Sequence, residues 1–237
     1  MPMALLLLWL AQPSACTAAT VSALADAGRL ARAFDLAGAV SRLQDTPDAC
    51  ETTRLALLYL RGLQVAKEAY RNGGDEVSLA PVTESIAALE SYVAGNPRAE
   101  VIRLTLMAAA AAAQSERGDM SLLLEQATVL EKRLVGGGSA GAPGVTAHEA
   151  AGDLWLQVHR FEAARAAYQD AATVTGSSPR ISIGLARVAV RLHDEMAACA
   201  AYRLFVKQWS RSETPPEVIE ARTFLADPRC GTAAPGK

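Results

Sequence analysis

The chain has 237 residues, with 23 basic and 25 acidic side chains for a net charge of −2, and 51% of it is hydrophobic. That hydrophobic share excludes a chain too polar to fold, and the balanced charge, with no long run of one sign, excludes the basic stripe of a nucleic-acid binder. Aromatic residues are only 5% and alanine fills their place, which points to closely packed helices and an all-α fold of one domain or a short solenoid.

The predicted elements begin with a targeting signal. Met3 to Ala11 is an apolar run of signal-peptide length, too short for the ~20 residues of a membrane span, and small residues follow from Ser14 to Ala19. Residues 1–19 are read as a signal peptide and the protein as secreted or periplasmic. Pro13-Ser14-Ala15-Cys16 also looks like an imperfect bacterial lipobox, which makes Cys16 a candidate for lipidation.

Residues 20–135 form N-terminal helical hairpins. The first pair spans 21–44, with its turn expected at Asp26-Ala27-Gly28. After the break at Thr46-Pro47-Asp48, where Thr46 or Asp48 is an N-cap candidate, a helix runs from about Ala49 to Tyr70 with Leu55, Leu58, Leu63 and Ala66 at helical spacing. Asn72-Gly73-Gly74 stops it. Pro81 stands near the start of the next helix, which reaches Ala94. An Ala-rich helix covers Arg98 to Glu116, and Gly118-Asp119 is the expected turn into a helix ending at Val135. Residues 136–146 are Gly-rich and are read as a flexible connector. Helices follow near 147–158, 161–175, 180–192 and 195–209. Pro215-Pro216 opens a last helix to about Ala226, and 227–237 is read as a disordered tail.

Within 147–210 the chain repeats itself. His159 to Tyr168 lies over His193 to Tyr202 at an offset of 34 residues, the period of a helix-turn-helix repeat. Gly152, Trp155, Ala164 and Tyr168 stand at the small and aromatic positions of the first unit. Ala186, Ala198 and Tyr202 do so in the second, with Leu185 at a leucine position. On these residues the segment resembles the tetratricopeptide repeat (TPR) family, with His148, Ser182 and Ala189 departing from its aromatic positions. A degenerate third unit is read over Arg98 to Val135, with Ala111 and Ala127 in the small positions.

The resemblance implies a right-handed α-α superhelix whose inner helices line a concave groove, with the last helix capping the array. It implies that such a protein binds rather than catalyses. Carried over position by position, the groove receives Glu149, Asp153, Leu156 and Gln157 from the first unit, and Arg180, Ile183, Arg187, Val190 and Arg191 from the second. Arg187 and Arg191 are one turn apart and suit an acidic ligand or peptide carboxylate. Asp153 is expected to face Arg187 across the repeat, and pairing of Glu149 and Asp153 with the arginines of the neighbouring helix is the competing reading. The expected role is a protein-interaction scaffold of the bacterial cell envelope with a protein or peptide partner, no nucleic acid and no cofactor. A structural subunit or lipoprotein of an envelope complex is the alternative, and an enzyme with no local motif, its site within helices 49–135, is a third reading.

Other motifs carry little chemistry. Gly136-x-Gly138-x-x-Gly141 has the letters of a dinucleotide loop, but a helix precedes it where a strand is needed. Gly231 to Lys237 has the first letters of a phosphate-binding loop without its Ser/Thr. His148-Glu149 begins like a zinc-protease motif and lacks the second His, while His159 and His193 occupy equivalent turns. No metal site is expected, since no CxxC pair is present. Of four cysteines, Cys199 and Cys230 are the expected disulfide; removal of the N-terminus before or at Cys16 would leave one free thiol beside it, and inert buried cysteines are the alternative reading.

Overall fold

The computed structural model describes residues 16–32, 34–46, 50–139, 141–209 and 214–231. Among these every regular element is a helix, as the alanine-rich composition predicts. The first three hairpins are α1 (Ala18–Arg32) with α2 (Leu36–Gln44), α3 (Glu51–Arg71) with α4 (Glu76–Val93), and α5 (Pro97–Ala113) with α6 (Arg117–Gly136). Two more follow: α7 (Ala147–Gln157) with α8 (Phe161–Thr175), and α9 (Pro179–Arg191) with α10 (Glu195–Gln208). Helix α11 (Pro216–Leu225) and the single turn α12 (Pro228–Gly231) close the chain. Each helix packs mainly on its sequence neighbours, and α5 and α9 also touch α3 and α7 respectively.

One turn geometry recurs inside the hairpins. Phe34, Ser115, His159 and His193 have positive φ, at 67°, 66°, 60° and 59°. In each case the residue's N–H and the next one donate back to carbonyls of the preceding last turn. His159 donates to Leu156 and Arg160 to Trp155, and His193 donates to Val190 and Asp194 to Ala189. This double bond is the Schellman ending, normally supplied by glycine. Gly73 and Gly74 make the same pair of bonds after α3. The following helix then starts on a side-chain cap where Asp35, Asp75 or Asp194 accepts a backbone N–H.

Several expectations are corrected by this geometry. Asp26-Ala27-Gly28 lies inside α1, because Phe34 makes the turn. Gly118-Asp119 lies in the first turn of α6, because Ser115 makes that turn. Asp48 lies outside the described residues, and α3 starts from Cys50. Pro81 falls inside α4, five residues after its start.

The second part of the connector, 141–146, is packed against the helices, whereas 136–139 are exposed. The buried Glu131 carboxylate on α6 accepts from the backbone N–H of Ala142 (3.0 Å) and of His148 (3.1 Å) and lies 2.8 Å from His148 Nδ1. Val145 is fully buried beside it. Burial alone would push the Glu131 carboxyl up, but the His148 ring and the backbone N–H groups outweigh it and hold it below its ordinary value. Part of the expected tail is ordered too, since α12 carries Cys230 into a disulfide with Cys199. Residues 232–237 lie outside the described residues.

Helices α7, α8 and α9 pack closely around Tyr168. Its ring is buried between α7 and α9, and a methyl group at Gly152 would stand 2.4 Å from Cε1, one at Gly184 2.3 Å from Cζ. Glycine is required at both positions because a ring occupies the space of a β-carbon. Ala164 and Ala171 complete the buried face of α8. Val218 and Ala221 of α11 cover Ile183, Ala186, Tyr202 and Phe205.

Candidate functional site

The inner faces of α7 and α9 meet over a hydrogen-bonded cluster. Asp153 on α7 accepts from the Tyr168 hydroxyl (2.6 Å) and from Arg180 Nε (2.9 Å) and Nη2. Arg180 also donates to the Ala31 carbonyl of α1 (3.2 Å), and its guanidinium carbon sits 5.5 Å from the centre of the Phe34 ring. Burial alone would lower the Arg180 pKa, yet Asp153 and Glu149 raise it, so the guanidinium stays charged in the interior. Burial, with the Asp153 charge beside it, pushes the Tyr168 hydroxyl well up, which keeps it a donor.

Two turns further along α9, Arg187 is held by α11. Its Nε and Nη2 lie 3.1 and 2.6 Å from the Glu220 carboxylate, which also accepts from the Tyr202 hydroxyl at 2.7 Å. Glu217 stands 3.8 Å from Arg187 Nη2. Burial would raise the Glu220 pKa, but the bonds from Arg187 and Tyr202 hold it below the ordinary value. Asp153 therefore pairs with Arg180, and Arg187 pairs with the last helix. The expected opposition of Asp153 and Arg187 is replaced because the capping helix brings two carboxylates onto Arg187.

The remaining sequence-predicted site residues separate by role. Glu149 closes the capping box of α7 with Thr146 and accepts from Ser178 (2.7 Å), itself the cap of α9. It is buried and belongs to the joint between hairpins. The Gln157 carbonyl accepts from Tyr70 of α3 at 2.7 Å. Arg191 is exposed, and so is His159 in its turn.

Two hollows adjoin along this face. The first, about 220 Å³, is lined by Asp153, Leu156, Gln157, Arg180, Ile183 and Arg187, together with Phe34, Lys67 and Glu217 from other helices. The second, about 290 Å³, is shallower and is lined by Leu156, His159, Arg187, Val190, Arg191, Tyr202 and Glu220. Of the nine residues the repeat register assigns to the groove, Glu149 alone lines neither. The sequence reading missed Phe34, Lys67, Glu217 and Glu220. Lys67 and Phe34 lie roughly 90 to 150 positions away in sequence from the α7 and α9 residues they join, and no local spacing links them.

The cysteines form two disulfides, Cys16–Cys50 and Cys199–Cys230. The second is the pair expected. With both pairs formed no cysteine is a free thiol, and the first pair leaves no valence on Cys16 sulfur for a lipid thioether. It also brings Cys16 to Ala19 into the folded body, within the segment assigned to the signal peptide, whose residues 1–15 lie outside the described residues. Among the described residues no group of three metal-ligating side chains gathers, and no helix is long and apolar enough to cross a membrane. His148, the first letter of the zinc-protease fragment, is bound to Glu131.

Comparison with protein-family models, with curated proteins and with solved structures returns no match for this chain.

Proposed function

We propose that this chain is a TPR-like scaffold, a short right-handed α-α superhelix of stacked hairpins, that holds a protein or peptide partner of the bacterial cell envelope and performs no chemistry on it. The observation that carries this reading is the meeting of α7 and α9 residues in two adjoining hollows, as a repeat groove requires. The five hairpins with one recurrent turn geometry support the same reading. The arginines of the face divide the work. Arg180 and Arg187 are committed to internal carboxylates, whereas Arg191 projects beside Val190 on the open hollow and is the contact for an acidic partner. An envelope location is supported by the pairing of all four cysteines, because disulfides persist in oxidising compartments.

The test is capture of the partner from envelope extract by the full chain, compared with Arg191→Glu and Val190→Asp. Both positions are exposed, so both variants should keep the wild-type helical signal. The expected result is loss of one defined partner by both. A partner retained by both variants would remove this face from consideration.

A further inference from the structure

The 220 Å³ hollow has a charge pattern that the scaffold reading does not use. Its two arginines and Asp153 are neutralised within the fold: Arg180 by Asp153, Arg187 by Glu220. Two wall groups are left. Lys67 makes no ion pair or hydrogen bond among the described residues, and Glu217 accepts no hydrogen bond there and meets Arg187 only at 3.8 Å. These opposite charges line one cavity without touching each other. The rest of the wall includes Leu63, Ala66, Ala109, Val145, Leu154 and Ile183.

We propose that this hollow binds a free apolar α-amino acid of about leucine size, with its carboxylate on Lys67, its ammonium on Glu217 and its side chain against the apolar wall. Size follows from volume: an apolar cavity of ~150 Å³ takes up benzene, with six heavy atoms, so 220 Å³ accommodates about nine. Leucine has that number. Charge sets the class. A phosphate or dicarboxylate would bring a second negative charge with Lys67 as the one uncommitted cation among the described residues of the wall and Glu217 facing it. A plain hydrocarbon would leave Lys67 unanswered and Glu217 with only its long contact to Arg187, and a monocarboxylate would leave Glu217 in that state. A zwitterion answers both. Burial lowers the Lys67 pKa, in keeping with an ammonium drawn partly out of water, where a carboxylate gains most from it. The site is distinct from the Arg191 surface and does not depend on a protein partner.

The experiment is calorimetric titration of the oxidised full chain with L-leucine, hexanoate and 3-methylbutylamine. Leucine should bind, and each analogue, lacking one charged group, should bind at least about tenfold more weakly. Lys67→Met and Glu217→Gln should each weaken leucine by about tenfold with unchanged melting curves. No binding of leucine to the folded wild type would overturn the proposal. Hexanoate binding as tightly as leucine would overturn it too, by showing that the ammonium is not recognised. The analogues act on the wild-type protein, so the proposal stays testable even where a variant fails to fold. Titration and partner capture are read separately, so the failure of one leaves the other standing.

Discussion

Replacing Gly184 by alanine sets two opposed effects against each other in the middle of α9. In an exposed helix the change stabilises by about 1 kcal/mol, since glycine is the poorest helix former after proline. Here the new methyl would stand 2.3 Å from Cζ and 2.6 Å from both Cε atoms of Tyr168. The ring cannot swing clear. It is 1% exposed, Gly152 already abuts it, and its hydroxyl is tied to Asp153. Overpacking of this kind costs about 1–3 kcal/mol, and a rigid aromatic neighbour places it at the upper end. The expected net loss is about 2 kcal/mol, or roughly 4–8 °C in Tm for a chain of this length. Urea denaturation followed by circular dichroism, with calorimetry, would measure it under oxidising conditions. Gly118→Ala is the control, because nothing stands within 4 Å of its added methyl, and it should raise stability. In a Tyr168→Leu background the Gly184→Ala penalty should largely vanish, giving a coupling energy between the two sites. If Gly184→Ala raises Tm as Gly118→Ala does, the close approach of Tyr168 to α9 is wrong.

Glu131→Gln should cost about 1–3 kcal/mol, because an amide cannot take up all the hydrogen bonds that the buried carboxylate accepts from Ala142 and His148. The Glu131 carboxyl is held below its ordinary value of 4.5, so its contribution is complete above that pH and is lost as pH falls through the lower folded value. Melting curves from pH 6 to pH 2 should therefore show a shallower acid limb for the variant, and an unchanged limb would count against the pair. Asp153→Ala should cost about 3 kcal/mol by stranding the Arg180 charge. Adding Arg180→Met should recover part of that loss in denaturant titration, and a further additive loss would contradict the stranded-charge explanation. Peptide mass mapping should join Cys16 to Cys50 and Cys199 to Cys230, and a lipid adduct on Cys16 would contradict the first pair. Cys230→Ser opens a loop of 31 residues and should lower stability by at most about 3–4 kcal/mol, read as a calorimetric Tm shift.

The C-terminal half was legible in the sequence almost to the residue, since α7 to α10 differ from their expected bounds by one residue or less. There the 34-residue offset fixes the turns through His159 and His193. Further upstream the same turn is made by Phe34, which carries no turn signal, and by Ser115, whose signal is weak beside a nearby glycine. The nearby glycines, Gly28 and Gly118, are the stronger turn signals in sequence, yet both are helical. The α7 and α9 side of the candidate site followed from the repeat register. Its charge pairing did not, because Glu220 and Glu217 come from a helix with no repeat partner. Nor did the wall formed by Lys67 and Phe34, which tertiary packing alone brings to Arg180. Glu131 gave no sign of burial in a helix otherwise rich in exposed charge.

The two disulfides lie at opposite ends of a row of hairpins. One joins the start of α1 to the start of α3, and the other joins α10 to α12. Unfolding ordinarily begins as fraying at chain ends, and α1 is otherwise held by α2, α3 and the contacts of Ala31 and Phe34 with α9 and α10. Each crosslink sits where that fraying would start. The oxidised chain should therefore open first in its middle, near the junction of α6 and α7, and the reduced chain should unzip from its ends. Hydrogen exchange in the two redox states would show the least protected amides moving from the centre of the row to its margins.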